Sequence, residues 1–339
     1  MGALQVDVNA RVLGVFLIAE VLIVLSFDIA GITKPTEPLT AAPFLPSALA
    51  GGAVGAALCF VTASFMGFES AAIYGEEAKD PKRTVARATY IAVLLIGIFY
   101  AFTAWATSMA VGDSQVISRT QELGANLFFV YAEQNVGRWF ADIATVLFVT
   151  SLFAALLSFH NAVARYFFSL GRERVLPRAL SRVQPRTGAP IAGSIAQTVL
   201  ALVVVVVFGV AGKDPVLGLF TWLTNLGALG VIFLMALTSL SVVFYLRRYN
   251  ELLAERTAHH AVASAIAAVA LFIVFYLATT NFDALLGAEP GDPMIWILPG
   301  LVVLAAVVGL AFGWTLKRTR PHVYDGIGRG GETDTDAGV

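Results

Sequence analysis

The sequence predicts an all-α polytopic membrane protein with eight transmembrane helices, and three observations carry that expectation. Of its 339 residues 58% are hydrophobic and 13% charged, with a mean hydropathy of +0.79. Soluble domains run nearer about 25% charged, so too few charges remain to keep one large surface wet. Eight long apolar runs alternate with short polar patches, each run long enough for the ~20 residues that a bilayer demands. Lys and Arg alternate with the patches: 18 fall on one side of an eight-span topology and 4 on the other. That bias sets both termini on the cytoplasmic side of a cell membrane. A net charge of −1 offers nothing to nucleic acid, and a lone cysteine, Cys59, excludes an intrachain disulfide or a Cys-rich metal site.

Taken in order, the expected spans are 12–32, 48–74, 86–110, 138–164, 189–211, 216–245, 260–280 and 293–316, within a membrane region of 1–316. The first ends at Lys34-Pro35 and is too long for a secretory signal, with no small-residue cleavage site after it. The third is entered through Asp80-Pro81, and the fifth is preceded by Pro177 and Pro185. Gly212 to Pro215 separates the fifth from the sixth, and Glu289 to Pro293 precedes the last. Trp105, Trp139, Trp222, Trp296 and Trp314 fall near span ends, where amphipathic rings favour the interface. Residues 317–339 are polar and Gly/Asp-rich, which predicts a disordered cytoplasmic tail.

The second run carries the chemistry. Glu69 stands deep in an apolar segment beside Gly67 and Ser70. An ionisable group at that depth is costly and belongs in a cavity or against a partner. Gly67 costs a helix roughly 1 kcal/mol and permits an unwound turn, whose freed backbone groups are tolerated only where they line a cavity. Such groups bind charged solutes, N–H groups facing a carboxylate. The bland alternative is that Gly67 allows close helix packing while Glu69 bonds within the bundle.

Phe65-Met66-Gly67-Phe68-Glu69, then Glu76-Glu77-Ala78-Lys79-Asp80-Pro81-Lys82-Arg83, resembles the amino acid–polyamine–organocation permeases. A second block, Asn161 to Pro177 ending at Gly188-Ala189-Pro190, is similar to that family's eighth span and the segment after it. Ala10-Arg11-Val12 is similar to the opening of its fifth span. The resemblance implies part of a five-plus-five inverted repeat of the LeuT type, broken in this chain's second span. It also implies that the first four of twelve spans are not in this sequence. The expected activity is secondary, proton-coupled transport of an amino acid, or of a polyamine or other organic amine, with no enzymatic chemistry and no cofactor. A chain holding half a site is expected to give no saturable uptake by itself, and its alternative is a non-transporting fragment or interaction subunit.

The expected substrate-binding residues are Ser64, Phe65, Met66, Gly67, Phe68, Glu69, Phe159 and Asn225. Glu20 and Glu69 are the expected proton-coupling residues; Glu20 falls where some family members carry a lysine, so a carboxylate there departs from that pattern. Phe159 alternatively packs its helix, and Asn225 alternatively bonds between helices. Asp28 is expected at the membrane interface, and His160 has no second ligand to make a metal site. The small residues Ala53, Ala56, Ala57, Ala63 and Gly67 are expected to line an under-packed face. Membrane lipid is the remaining expected partner.

Overall fold

The computed structural model describes residues 6–49, 54–73, 75, 80–248, 257–288 and 291–328. Its elements in chain order are α1 (Val6–Thr33), α2 (Val54–Ser64), α3 (Ser70–Ile73), α4 (Pro81–Val111), α5 (Val116–Leu123), α6 (Leu127–Asn135) and α7 (Arg138–Arg172). There follow α8 (Ile191–Val210), α9 (Thr221–Arg248), α10 (Thr257–Thr280), α11 (Phe282–Leu286), α12 (Met294–Thr319) and α13 (Pro321–Asp325). No strand occurs among the described residues. Seven helices (α1, α4, α7, α8, α9, α10 and α12) are long and apolar enough to cross a membrane. The run at 48–74 is not one of them, because it divides into α2, a non-helical turn at 65–69 and α3.

Local chemistry explains the ends. Asp80 accepts from the Arg83 backbone N–H at 3.4 Å, with Pro81 in the first helical position. A proline there loses only an N–H that the helix would leave unpaired. α4 closes at Gly112, whose φ of +102° suits a residue without Cβ. α7 runs to Arg172, past the expected 164, and stops before Arg174 and Pro177. The stretch between α4 and α7, without an expected element, forms α5 and α6. At the other end of the chain, helix continues through 319 and again from Pro321 to Asp325, where a disordered tail was expected from 317; residues 329–339 lie outside the described residues.

The chain forms two compact units. The first comprises residues 1–50, 67–200 and 326–339, the second 51–66 and 201–325. In the first, α1 packs against α4, α6 and α7 over a core that includes Phe27, Ala110, Tyr131 and Phe140. Small residues set the approach: a Cβ on Gly193 of α8 would lie 2.4 Å from the Ala164 carbonyl oxygen of α7. The segment after α1 folds back onto the end of α4. Thr36 donates through Oγ1 to the Ala110 carbonyl at 2.6 Å, and the Trp105 indole donates to the Thr40 carbonyl at 2.8 Å. Glu37 accepts from both the hydroxyl and the backbone N–H of Ser114.

In the second unit, α2 packs against α9, α10 and α11 over Ala56, Cys59, Leu229, Ile232 and Phe282. A Cβ on Gly55 would lie 2.5 Å from the Leu277 carbonyl oxygen. The small-residue face therefore splits. Ala56 is buried in this packing, Ala57 is exposed beside Phe60 and Val61, Ala63 is half-buried, and Ala53 lies outside the described residues. The expectation of one open face fails at Ala56, because the glycine next to it brings α10 into contact.

Replacing Gly193 with Val inserts atoms where a carbonyl already stands, at a cost of about 1–3 kcal/mol. Thermal unfolding in detergent is expected to show that loss. Gly309→Val should leave the midpoint unchanged, because nothing lies within 4 Å of a Cβ there. A second expectation concerns pH. The Ser114 hydroxyl and N–H hold the Glu37 carboxyl below its usual range. The stabilisation is thus complete above the unfolded value of about 4.3 and is lost as pH falls through the lowered folded value. Ser114→Ala should move the Glu37 midpoint upward in a carboxyl NMR titration.

Candidate functional site

The interruption at 65–69 sits where Gly67 and Glu69 place it. α2 ends at Ser64, whose hydroxyl donates to the Val61 carbonyl at 2.7 Å. The Phe65 and Met66 N–H groups then bond to the Thr62 and Ala63 carbonyls at 3.2 and 3.1 Å, three residues back instead of four. Gly67 has φ +110°, a conformation that a Cβ disfavours, and no atom lies within 4 Å of where its Cβ would be. Its role is therefore backbone conformation and not close packing. The Gly67 N–H, released from the helix, donates to Glu69 Oε2 at 2.8 Å. The Ser70 N–H picks up the Gly67 carbonyl at 3.0 Å, and α3 begins. Phe68 and Glu69 are both half-buried.

The carboxylate thus meets the amide that unwinding frees. Buried N–H groups without an acceptor cost about 1–3 kcal/mol, and an anionic acceptor makes a stronger bond than a neutral one. Residues 76–79 of the following motif lie outside the described residues.

Three further polar positions in the first unit are tied between helices. Glu20 of α1 accepts from the Ser151 hydroxyl of α7 at 2.9 Å through Oε2, while its Oε1 is buried without a hydrogen-bond partner. His160 of α7 shares a 2.7 Å hydrogen bond with Ser194 of α8. Asp28 is fully buried and accepts from the Thr103 hydroxyl at 2.8 Å. That corrects the interfacial expectation for Asp28. Asp28 is buried where α1 packs against α4, beside Thr103 and one turn before the close approach at Gly31. Phe159 is 45% exposed on α7.

In the second unit Asn225 of α9 is buried at 2% exposure. Its amide donates to the Thr221 carbonyl at 2.9 Å and across to the Leu285 carbonyl at 3.0 Å. The second of these bonds joins α9 to α11. The Asn225 Oδ1 is buried with no hydrogen-bond partner. Asp28 and Thr103 are the residues that sequence reasoning missed as a pair. The signal was the acid itself, inside an apolar run.

Seven bilayer-length apolar helices define a polytopic membrane protein. The amino acid permease family matches residues 9–307. The chain belongs to that family. It is 25% identical over 229 residues to the cationic amino acid transporter 7, chloroplastic, of Arabidopsis thaliana, covering 66% of this chain and 35% of that protein. It is 24% identical over 258 residues to the branched-chain amino acid permease BcaP of Lactococcus lactis subsp. cremoris (strain MG1363), covering 73% of this chain and 51% of the relative. With the low-affinity putrescine importer PlaP of Escherichia coli (strain K12) it shares 26% identity over 256 residues, 74% of this chain and 50% of the importer. The chain spans about half the length of these relatives or less. The relatives are transporters, not enzymes. No solved structure matches the chain.

Gly67→Ala should destabilise the protein by about 1–3 kcal/mol through backbone strain, since the space beside it is open. Glu69→Ala should cost a similar ~1–3 kcal/mol by orphaning the Gly67 N–H. Glu69→Gln, which keeps an acceptor, should recover most of that loss in thermal unfolding measurements.

Proposed function

We propose that the chain is the part of a secondary active carrier that contributes the segment Ser64–Glu69 to substrate binding, with an amino acid as substrate and a proton as coupling ion. One observation carries this reading: within an apolar run of an amino acid permease, the helix is broken at Gly67 and a carboxylate holds the freed amide. A substrate carboxylate seeks the same N–H. By taking it from Glu69, the substrate releases a carboxylate that accepts a proton or pairs with the substrate's ammonium. Glu20, with one oxygen unpartnered, is the second proton-coupling group. Phe159 is proposed as an aromatic contact and Asn225 as a polar one through Oδ1.

In this reading the run at 48–74 is the second of eight crossings, interrupted within its length. The eight crossings belong to a LeuT-type repeat in the cell membrane, and both termini are cytoplasmic. The 18-to-4 bias of basic residues supports that orientation. An organic amine is the alternative cargo, supported by the likeness to a putrescine importer.

The test is uptake of labelled amino acids and putrescine by proteoliposomes. It uses the chain alone and the chain preceded by four spans of a family member, as the greater length of the relatives suggests. Saturable amino acid uptake is expected from the extended protein, falling when the pH gradient is collapsed. Glu69→Ala should reduce it about tenfold or more, the equivalent of losing ~1.4 kcal/mol of binding. Glu20→Gln should weaken the dependence on the gradient more than the affinity. Uptake that ignores the pH gradient would overturn proton coupling, and uptake indifferent to Glu69→Ala would overturn the assigned site.

A further inference from the structure

Asp28 lies five residues before the end of α1 and is fully buried. Its Oδ2 accepts from the Thr103 hydroxyl of α4, while its Oδ1 is equally buried and has no hydrogen-bond partner. The two helices are drawn together one turn further on. A Cβ on Gly31 would lie 2.7 Å from the Ala110 Cβ and 3.2 Å from the Ala106 carbonyl oxygen. Phe27, next to Asp28, packs its ring 4.7 Å from that of Phe128 on α6.

No described cation bonds this carboxyl. On α1 itself, Glu20 is eight residues away, about 12 Å along the axis, and is held by Ser151; Lys34 just beyond the helix is exposed. On α4 the basic residues Lys82, Arg83 and Arg87 stand at the opposite end, about 24 Å or more from Thr103. α6 brings Tyr131, buried in the same core, and Glu133, which is exposed. α7 brings Arg138 and Asp142, both exposed, and its far half carries His160, Arg165 and Arg172. In the segment after α1, Glu37 is engaged by Ser114.

An ionised carboxylate here would have one hydroxyl donor and no counter-charge, the costliest state for a buried acid. A proton on Oδ1 removes the charge and needs no space. We propose that Asp28 is a proton-binding site of the carrier, a buried carboxyl that holds its proton where α1 and α4 are packed together. The use of that proton in transport rests on the proton-coupled reading above; its presence on Asp28 does not.

The infrared spectrum of the 339-residue chain in lipid vesicles at pH 7 tests this. A solvated aspartate, with a value of about 3.9, is ionised there and gives no carboxylic acid band. The expected spectrum contains a protonated carboxyl C=O band with a component that is lost in Asp28→Asn and kept in Glu20→Gln. Thr103→Val should move that component to higher frequency without removing it, because the acid loses its hydrogen-bond partner; a purely packing role for Asp28 produces no such shift. A band indifferent to both Asp28→Asn and Thr103→Val overturns the proposal, as does the absence of any carboxylic acid band. Should Asp28→Asn fail to fold, the Thr103→Val spectrum decides by the same shift. Failure of proton-driven uptake would remove the transport reading and leave these spectra unaffected.

Discussion

A backbone amide inside hydrocarbon has no water to turn to, and that one constraint organises this molecule. Each unpaired N–H or carbonyl there costs several kcal/mol. Seven long helices meet most of the requirement with their own backbone hydrogen bonds. At 65–69 the helix gives out, and Glu69 takes the N–H of Gly67. A carboxylate and an unpaired amide are each expensive in apolar surroundings, and bonding them to each other offsets both costs. The conformation of Gly67 makes the meeting possible, since a side chain there would resist φ +110°.

The same requirement governs the polar side chains. Glu20, Asp28, His160 and Asn225 each bond to a hydroxyl or carbonyl on another helix. The partners on those helices include Ser151, Thr103 and Ser194. Membrane helices, lacking hydrophobic attraction for one another, draw part of their association from such bonds and from close approach at small residues. Gly55, Gly31 and Gly193 supply the close approach. At Glu20 and Asp28 the two oxygens of the acid have one partner between them, so satisfaction is incomplete.

Much of this was legible in the sequence because lipid is a demanding solvent. Apolar runs of bilayer length have little choice but helix, and the helix bounds of α1, α4, α8, α10 and α12 follow those runs closely. The interruption was legible as well, from a glycine and a glutamate two residues apart in an apolar segment. What escaped depends on three-dimensional approach. α5 and α6 lie in a polar stretch where hydropathy carries little information, and α7 continues eight residues past its apolar run. Asp28 was misjudged because its distance from Lys34 along the chain suggests an interface. It is buried where α1 packs on α4 at Thr103 and Gly31, while Thr36, Glu37 and Thr40 anchor the following segment across the end of α4. No periodicity records that fold-back.

The bond between Glu69 and Gly67 also bears on which cargo such a carrier selects. An amino acid brings its own carboxylate and competes with Glu69 for the amide, so binding and release of the Glu69 carboxylate become one event. A diamine brings no acceptor. It leaves the Gly67 N–H with Glu69 and is drawn to the carboxylate by charge alone. The two cargoes therefore require opposite things of the same residue: displacement in one case, retention in the other. A neutral acceptor in place of Glu69 still satisfies the amide but offers a diamine no counter-charge. Under the proposed function, substrate class would be decided at a single backbone N–H, by whether the arriving molecule can replace the group that already occupies it.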